Sequence, residues 1–169
     1  MSAENLKYPK ILFVPPDAGD KFSVYGDKDN IKLNEEGSQG ALSVVEAEVP
    51  PHMGPPPHIH HREHETLYVL DGEVDLLDGE RGWTRIETRG MAFMPMESLH
   101  AFRNPHDEPG KVMLIFTPAG FEDYLKKVGE LVASGDVTSE NDVEAVIPLA
   151  ATYGMDILPE DAAPKPPQD

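Results

Sequence analysis

The stretch "PPPHIHHREHETLYVLDG" runs from Pro55 to Gly72 and holds four of the chain's seven histidines, His58, His60, His61 and His64. Its reading turns on backbone period. In a strand, residues two apart share a face, so His58 and His60 point together and Ile59 points away. In a helix, His60 and His64 would meet instead. Pro55, Pro56 and Pro57 settle the choice, because each biases the residue before it toward extended backbone. The following "TLYVL" is rich in strand formers. The stretch is therefore expected to form two strands, with Glu65 opening the second. Two imidazoles side by side inside a barrel need a metal or ordered polar partners to satisfy them.

Within it, "HHREH" (His60–His64) matches the H-x-x-E-H pattern of inverted zinc peptidases, where a helix carries two ligands and a basic glutamate. That pattern needs its helical context, and the prolines and strand formers deny it. His61 has the opposite strand parity to His60 and His64 is expected in the turn before Glu65, so both read as surface or pocket-rim residues. His52 and His106 fall in loops and are expected to be solvated. Asn104 is expected to satisfy turn or strand backbone groups.

Outward from this stretch, short runs follow at close spacing: "GALSVVEAEV" (40–49), "EVDLL", "GWTRIET", "MAFM", "LHAFR" and "KVMLIFT". Turn residues separate them, and Asp71-Gly72 and Asp78-Gly79 read as hairpin signals. The pattern predicts an all-β barrel or sandwich. Met53, Leu67, Val69, Phe93, Met94, Phe102, Leu114 and Phe116 are expected to be core; by parity Leu67 and Val69 face inward with Glu65, and Phe102 with His100. Trp83 reads either as an interface anchor or as a hairpin cover.

After Gly120 the period changes. Phe121, Tyr124, Leu125, Val128, Leu131 and Val132 recur at helical spacing and form a packing face, with Ser134-Gly135 as a stop. A second helix is expected from Thr138 or Ser139, with Glu140 and Asp142 in its first turn, Pro148 as a kink or end and Gly154 as a cap. The expected organisation is an arm over 1–20, a barrel over 21–118, a helical segment over 119–158 and a flexible tail over 159–169.

The 169 residues carry a formal charge of −17 and no cysteine. Disulfides and thiolate metal sites are excluded. So much acid argues against nucleic acid, which demands Lys and Arg, and against an anionic membrane surface. The opening MSAENLKYPK lacks the apolar core of a secretory signal, which gives a cytoplasmic expectation.

"HIHHREHETLYVLDG" resembles the first motif of the cupins, in which H-x-H is followed by a glutamate and a glycine; His58, His60, Glu65 and Gly72 hold those places. "PMESLHAFRN" resembles the second motif, with Pro95, His100 and Asn104 in register. Three turn positions depart from the pattern: His52 stands where a glycine is usual, Gly90 lies one place late, and Glu97 replaces the glycine after the proline. The resemblance implies a cupin double-stranded β-helix barrel with C-terminal α-helices, close to single-domain quercetin dioxygenase-like cupins. It implies one divalent first-row transition metal (Fe, Mn, Ni, Co, Cu or Zn) held by His58, His60, Glu65 and His100, with Glu65 able to act as general base. The expected activity is a dioxygenase acting on an enolisable or flavonol-like small molecule. The alternatives are a metal-dependent isomerase or lyase on a small hydroxy-acid or sugar, and a non-enzymatic ligand-binding cupin. Exposed sheet edges in a small barrel give the expectation of a homodimer.

Overall fold

The computed structural model describes residues 11–24, 28–137 and 143–165. In chain order these form β1 (Asp20–Phe22), β2 (Lys28–Leu33), α1 (Glu35–Ser38), β3 (Ser43–Val49), β4 (His58–His60), β5 (His64–Asp71), β6 (Glu73–Asp78), β7 (Gly82–Glu87), β8 (Met91–Met94), β9 (Leu99–Arg103), β10 (Gly110–Thr117), α2 (Glu122–Ser134), α3 (Val143–Thr152) and β11 (Met155–Ile157). Two antiparallel sheets face each other, one ordered β1-β2-β3-β10-β5-β8 and the other β11-β4-β9-β6-β7. The strands alternate as half-buried strands should: in β3, Ser43, Val45, Ala47 and Val49 are buried and the residues between them are not. Leu67 and Val69 on β5 and Val112 on β10 are fully buried between the sheets. The fold is therefore the expected all-β one with C-terminal helices.

The hairpin at Asp78-Gly79 forms, joining β6 to β7 with Asp78 opposite Gly82. Asp71-Gly72 does something else. Its flanking strands belong to different sheets, so this turn carries the chain from one layer to the other. Gly72 adopts a left-handed φ of 78° there, and a local turn signal cannot tell which strands will pair. Phe93 is also not core: it is 58% exposed, while its neighbour Met94 is buried. Met94 lies opposite Glu65 in the ladder, so Phe93 takes the outer face. Met53 is half-buried.

The three turn positions that depart from the glycine pattern keep glycine-like backbone. His52, Arg89 (the residue before Gly90) and Glu97 have φ of 59°, 72° and 68°. Each costs roughly 1–2 kcal/mol in a residue with a Cβ. The turn shapes thus persist where the residues do not.

α2 begins with Glu122 and Asp123 in its first turn and ends at Gly135, whose left-handed backbone donates to the Leu131 and Val132 carbonyls. Its stripe packs on the barrel. The expected start of α3 lies outside the described residues. The helix then runs through Pro148 to Thr152 instead of stopping there. Gly154, at φ 75°, turns the chain directly into β11, a strand the sequence reading missed. The last described segment is not wholly loose, because Trp83 Nε1 donates to the Pro164 carbonyl at 2.7 Å. The Arg103 guanidinium of β9 lies 6.0 Å from the Trp83 ring, so Trp83 sits between that strand and the segment at Pro164.

Candidate metal centre

β4 is three residues long and sits between β11 and β9. Its alternation buries His58 and His60 and leaves Ile59 half-exposed. His100 on β9 pairs with His58, and Glu65 enters from β5 in the facing sheet. All four side chains are nearly inaccessible to solvent. Glu65 Oε2 lies 3.1 Å from His100 Nε2, 3.3 Å from His60 Nε2 and 3.9 Å from His58 Nε2. One donor atom from each of the four falls within 4.8 Å of the others, close enough to share one ion.

The far side of each ring shows which nitrogen is available. His58 Nδ1 donates to the Pro56 carbonyl at 2.8 Å, and His100 Nδ1 to the Ser98 carbonyl at 3.0 Å. A carbonyl only accepts, so both Nδ1 atoms carry hydrogen and both Nε2 lone pairs face the centre. His60 Nδ1 is held by Glu63 Oε1 at 2.5 Å. Its Nε2 is buried without a hydrogen-bond partner, lying near Glu65 but not aligned with it. An orphaned buried nitrogen aimed at three other donors fits a divalent first-row metal, for which three imidazoles and one carboxylate are a suitable set.

The electrostatics of this cluster are divided. Burial, with the neighbouring His100, pushes His58 down to about 4. Burial acts the same way on His60, but the Glu63 and Glu65 carboxylates outweigh it and raise it to about 9. Burial disfavours the Glu65 anion too, yet the three imidazoles around it hold its carboxyl well below the usual range. Glu65 is thus suited to be a fixed anionic ligand.

The remaining histidines stay outside the centre. His61 lies in the turn after β4, bridging Glu97 at 2.7 Å and Asp156 at 3.0 Å. His64 is the first residue of β5, not a turn residue, and its Nδ1 accepts from the Met96 amide. His52 pairs with Asp107, and His106 pairs with Glu73, so neither is simply solvated. Asn104 serves backbone groups as expected, donating to the Val49 and Glu108 carbonyls and accepting from the His106 amide.

Glu63 went unread in the sequence. It is the glutamate of the H-x-x-E-H string, and it acts on His60 through a tight turn instead of along a helix. It is 5% exposed and orients the imidazole from behind. Such outer partners typically change metal affinity by 10–100-fold. Glu63→Gln is expected to weaken metal binding within that range while leaving the fold intact, as titration with a chromophoric competitor would show.

The centre opens on a cavity of about 50 Å³ whose lining includes Val24, Asp29, Pro56, Phe102, Leu114, Phe116, Phe121 and Leu125. The Phe121 ring meets the His60 ring at 4.3 Å. The stripe on α2 therefore does more than pack: its first turn roofs the metal site. Helical period identifies a packing face but not what it packs upon.

No curated protein matches the chain in sequence. Residues 45–116 match the cupin domain family. Among solved structures, KdgF from Halomonas sp. is similar at 19% identity with a TM-score of 0.58, covering 66% of this chain and 99% of its own. A RmlC-like cupin from Shewanella frigidimarina is similar at 17% identity and 0.57, covering 68% and 96%. With the matched segment and this shared architecture, the chain has the cupin fold.

Proposed function

We propose that this protein is a metal-dependent enzyme acting on a small, enolisable, largely apolar molecule, as a dioxygenase. One observation carries the reading: three of the four donor residues, His58, His60 and Glu65, line a largely apolar cavity with no Lys or Arg among its described lining residues. An Arg or Lys reaching the metal would favour the alternative, an isomerase or lyase on a small hydroxy-acid or sugar, by holding an anionic substrate.

In this reading His58, His60 and His100 hold the metal through Nε2, and Glu65 supplies the compensating negative charge. The metal, when bound, supplies Lewis acidity that favours an enolate over its ketone, and a redox-active ion admits oxygen chemistry. The Pro56 and Ser98 carbonyls and Glu63 keep the rings oriented. Phe102, Leu114, Phe116 and Phe121 exclude water, which strengthens every charge interaction inside. Both atoms of dioxygen end in the product.

Metal analysis beside an oxygen electrode tests this. Enolisable compounds, among them small 1,2- and 1,3-dicarbonyls and flavonols, are the probes, and oxygen uptake with at least one of them is expected. No uptake with any enolisable compound would leave the isomerase or ligand-binding alternative. We further propose that the protein acts in the cytoplasm as a homodimer. The open edge strands β8 and β7 support self-association, which sedimentation at micromolar concentration would check. Among the described residues no helix is long and apolar enough to cross a membrane.

A further inference from the structure

Five carboxyl side chains are buried among the described residues: Asp29, Glu63, Glu65, Asp75 and Glu122. Four have partners. Glu63 holds His60 and Glu65 faces three imidazoles. Asp75 is gripped by Arg85 at 2.9 Å and Arg103 at 3.3 Å. Glu122 accepts from the Glu35 and Gly120 amides at 2.6 and 2.7 Å. Asp29 is different. It is 6% exposed, and no hydrogen bond or ion pair to its side chain occurs among the described residues. Leaving a buried carboxyl without a partner is costly. The other four show how this fold otherwise avoids that cost.

Its position gives the cost a purpose. Asp29 lies on β2 between Phe22 of β1 and Ala47 of β3. It lines the same cavity as His58, His60 and Glu65. It also lines a groove on the outer side, shared with Lys21, Lys28, Glu46 and Glu48. Residue 29 thus borders both the reaction space and a solvent-open groove, with its side chain on the buried face of the strand.

We propose that Asp29 is the proton-transfer residue of this cavity: its carboxylate takes the carbon-bound proton of a small carbonyl compound held beside His58, His60, Glu65 and His100. The proposal rests on the small enolisable substrate argued above. The substrate C–H bond breaks, an O–H bond forms on Asp29, and the electron pair moves onto the carbonyl oxygen to give the enolate. The proton then leaves to water through the groove. Glu65 cannot easily serve, since the imidazoles enclose its Oε2. The charged and titratable groups around Asp29 are His58, His60, Glu65 and Tyr124 in the cavity and Asp17 with the lysines and glutamates of the groove. Burial pushes the Asp29 carboxyl up to about 7, so both of its forms exist near neutral pH, as efficient proton transfer requires.

The test uses the full chain loaded with metal, under nitrogen in D₂O, with hydroxyacetone and acetylacetone as probes. Exchange of carbon-bound hydrogen for deuterium is followed by NMR. Asp29→Asn, which keeps the shape, is expected to slow exchange by about 10²–10⁴ at unchanged metal content, and Asp29→Glu to restore part of it. Metal-free protein at mildly acidic pH supplies a second readout: the infrared carbonyl band of a buried neutral carboxylic acid, present in wild type and absent from Asp29→Asn. Exchange at the wild-type rate in Asp29→Asn, no exchange by wild type with either probe, or no such band overturns the proposal. Exchange that depends on Asp29 without any oxygen uptake upholds it and removes only the dioxygenase reading.

Discussion

Addition of a divalent first-row metal at a thousand times its Kd is expected to raise the unfolding free energy by about 4 kcal/mol, and His100→Ala is expected to abolish that gain. The reason is that the donor atoms converge only in the folded barrel: two come from β4, one from β5 in the opposite sheet and one from β9. The unfolded chain has no such set, so binding energy becomes folding energy. His100 closes the ring between His58 and Glu65, and its loss should exceed the 10–100-fold typical of outer-shell changes. The gain should also depend on pH. Protonated His60 cannot ligate, and its raised value near 9 means that metal must displace a proton. Affinity should therefore fall as pH is lowered below about 9, roughly tenfold per unit for one displaced proton. Thermal unfolding with and without metal between about pH 6 and about pH 9 measures both effects. Equal stabilisation of wild type and His100→Ala would remove His100 from the metal.

Asp29→Asn is expected to make the protein more stable at alkaline pH. An aspartate whose folded value rises from 3.8 to about 7 holds its proton in the native state where the unfolded chain has lost it. Between those pH values the folded form binds more protons, so stability falls as pH rises. The favourable contribution of the neutral acid is complete below 3.8 and gone above about 7. At about 1.4 kcal/mol per pH unit, the span is worth about 4 kcal/mol. The asparagine variant has no such ionisation to suffer. Urea unfolding should show wild type and variant diverging from acid toward pH 8, with the variant the more stable. A variant less stable than wild type at alkaline pH would mean that Asp29 has a partner the geometry does not reveal. A stabilising change that removes catalysis is the usual mark of a functional strain.

Much of the centre was legible because strand period is simple. The parity of His58 and His60, and of Glu65 with Leu67 and Val69, follows from a repeat of two once the prolines exclude a helix. Residues that act through folding back were not legible. Glu63 reaches His60 by a turn, and Asp29 reaches the cavity only because β2 joins the sheet beside β3. No spacing rule relates position 29 to position 58. Phe93 and Asp71-Gly72 misled for a related reason: apolar type and turn type are local, whereas face and partner strand are set by pairing across the sheets. β11 was hidden by its brevity.

That last strand bears on how the site comes into being. β11 supplies the outer neighbour of β4, pairing Met155 with His60 and Ile157 with His58. The adjoining His61–Asp156 contact joins positions 95 residues apart. At synthesis rates of about 5–20 residues per second, roughly 5–20 s separate the emergence of the ligand strand from that of its flanking partner. During that interval β4 has no outer neighbour, so the strand that carries His58 and His60 gains that flank only when the segment around residue 155 is made. Loss of that segment would leave β4 an edge strand, open to pairing with another chain.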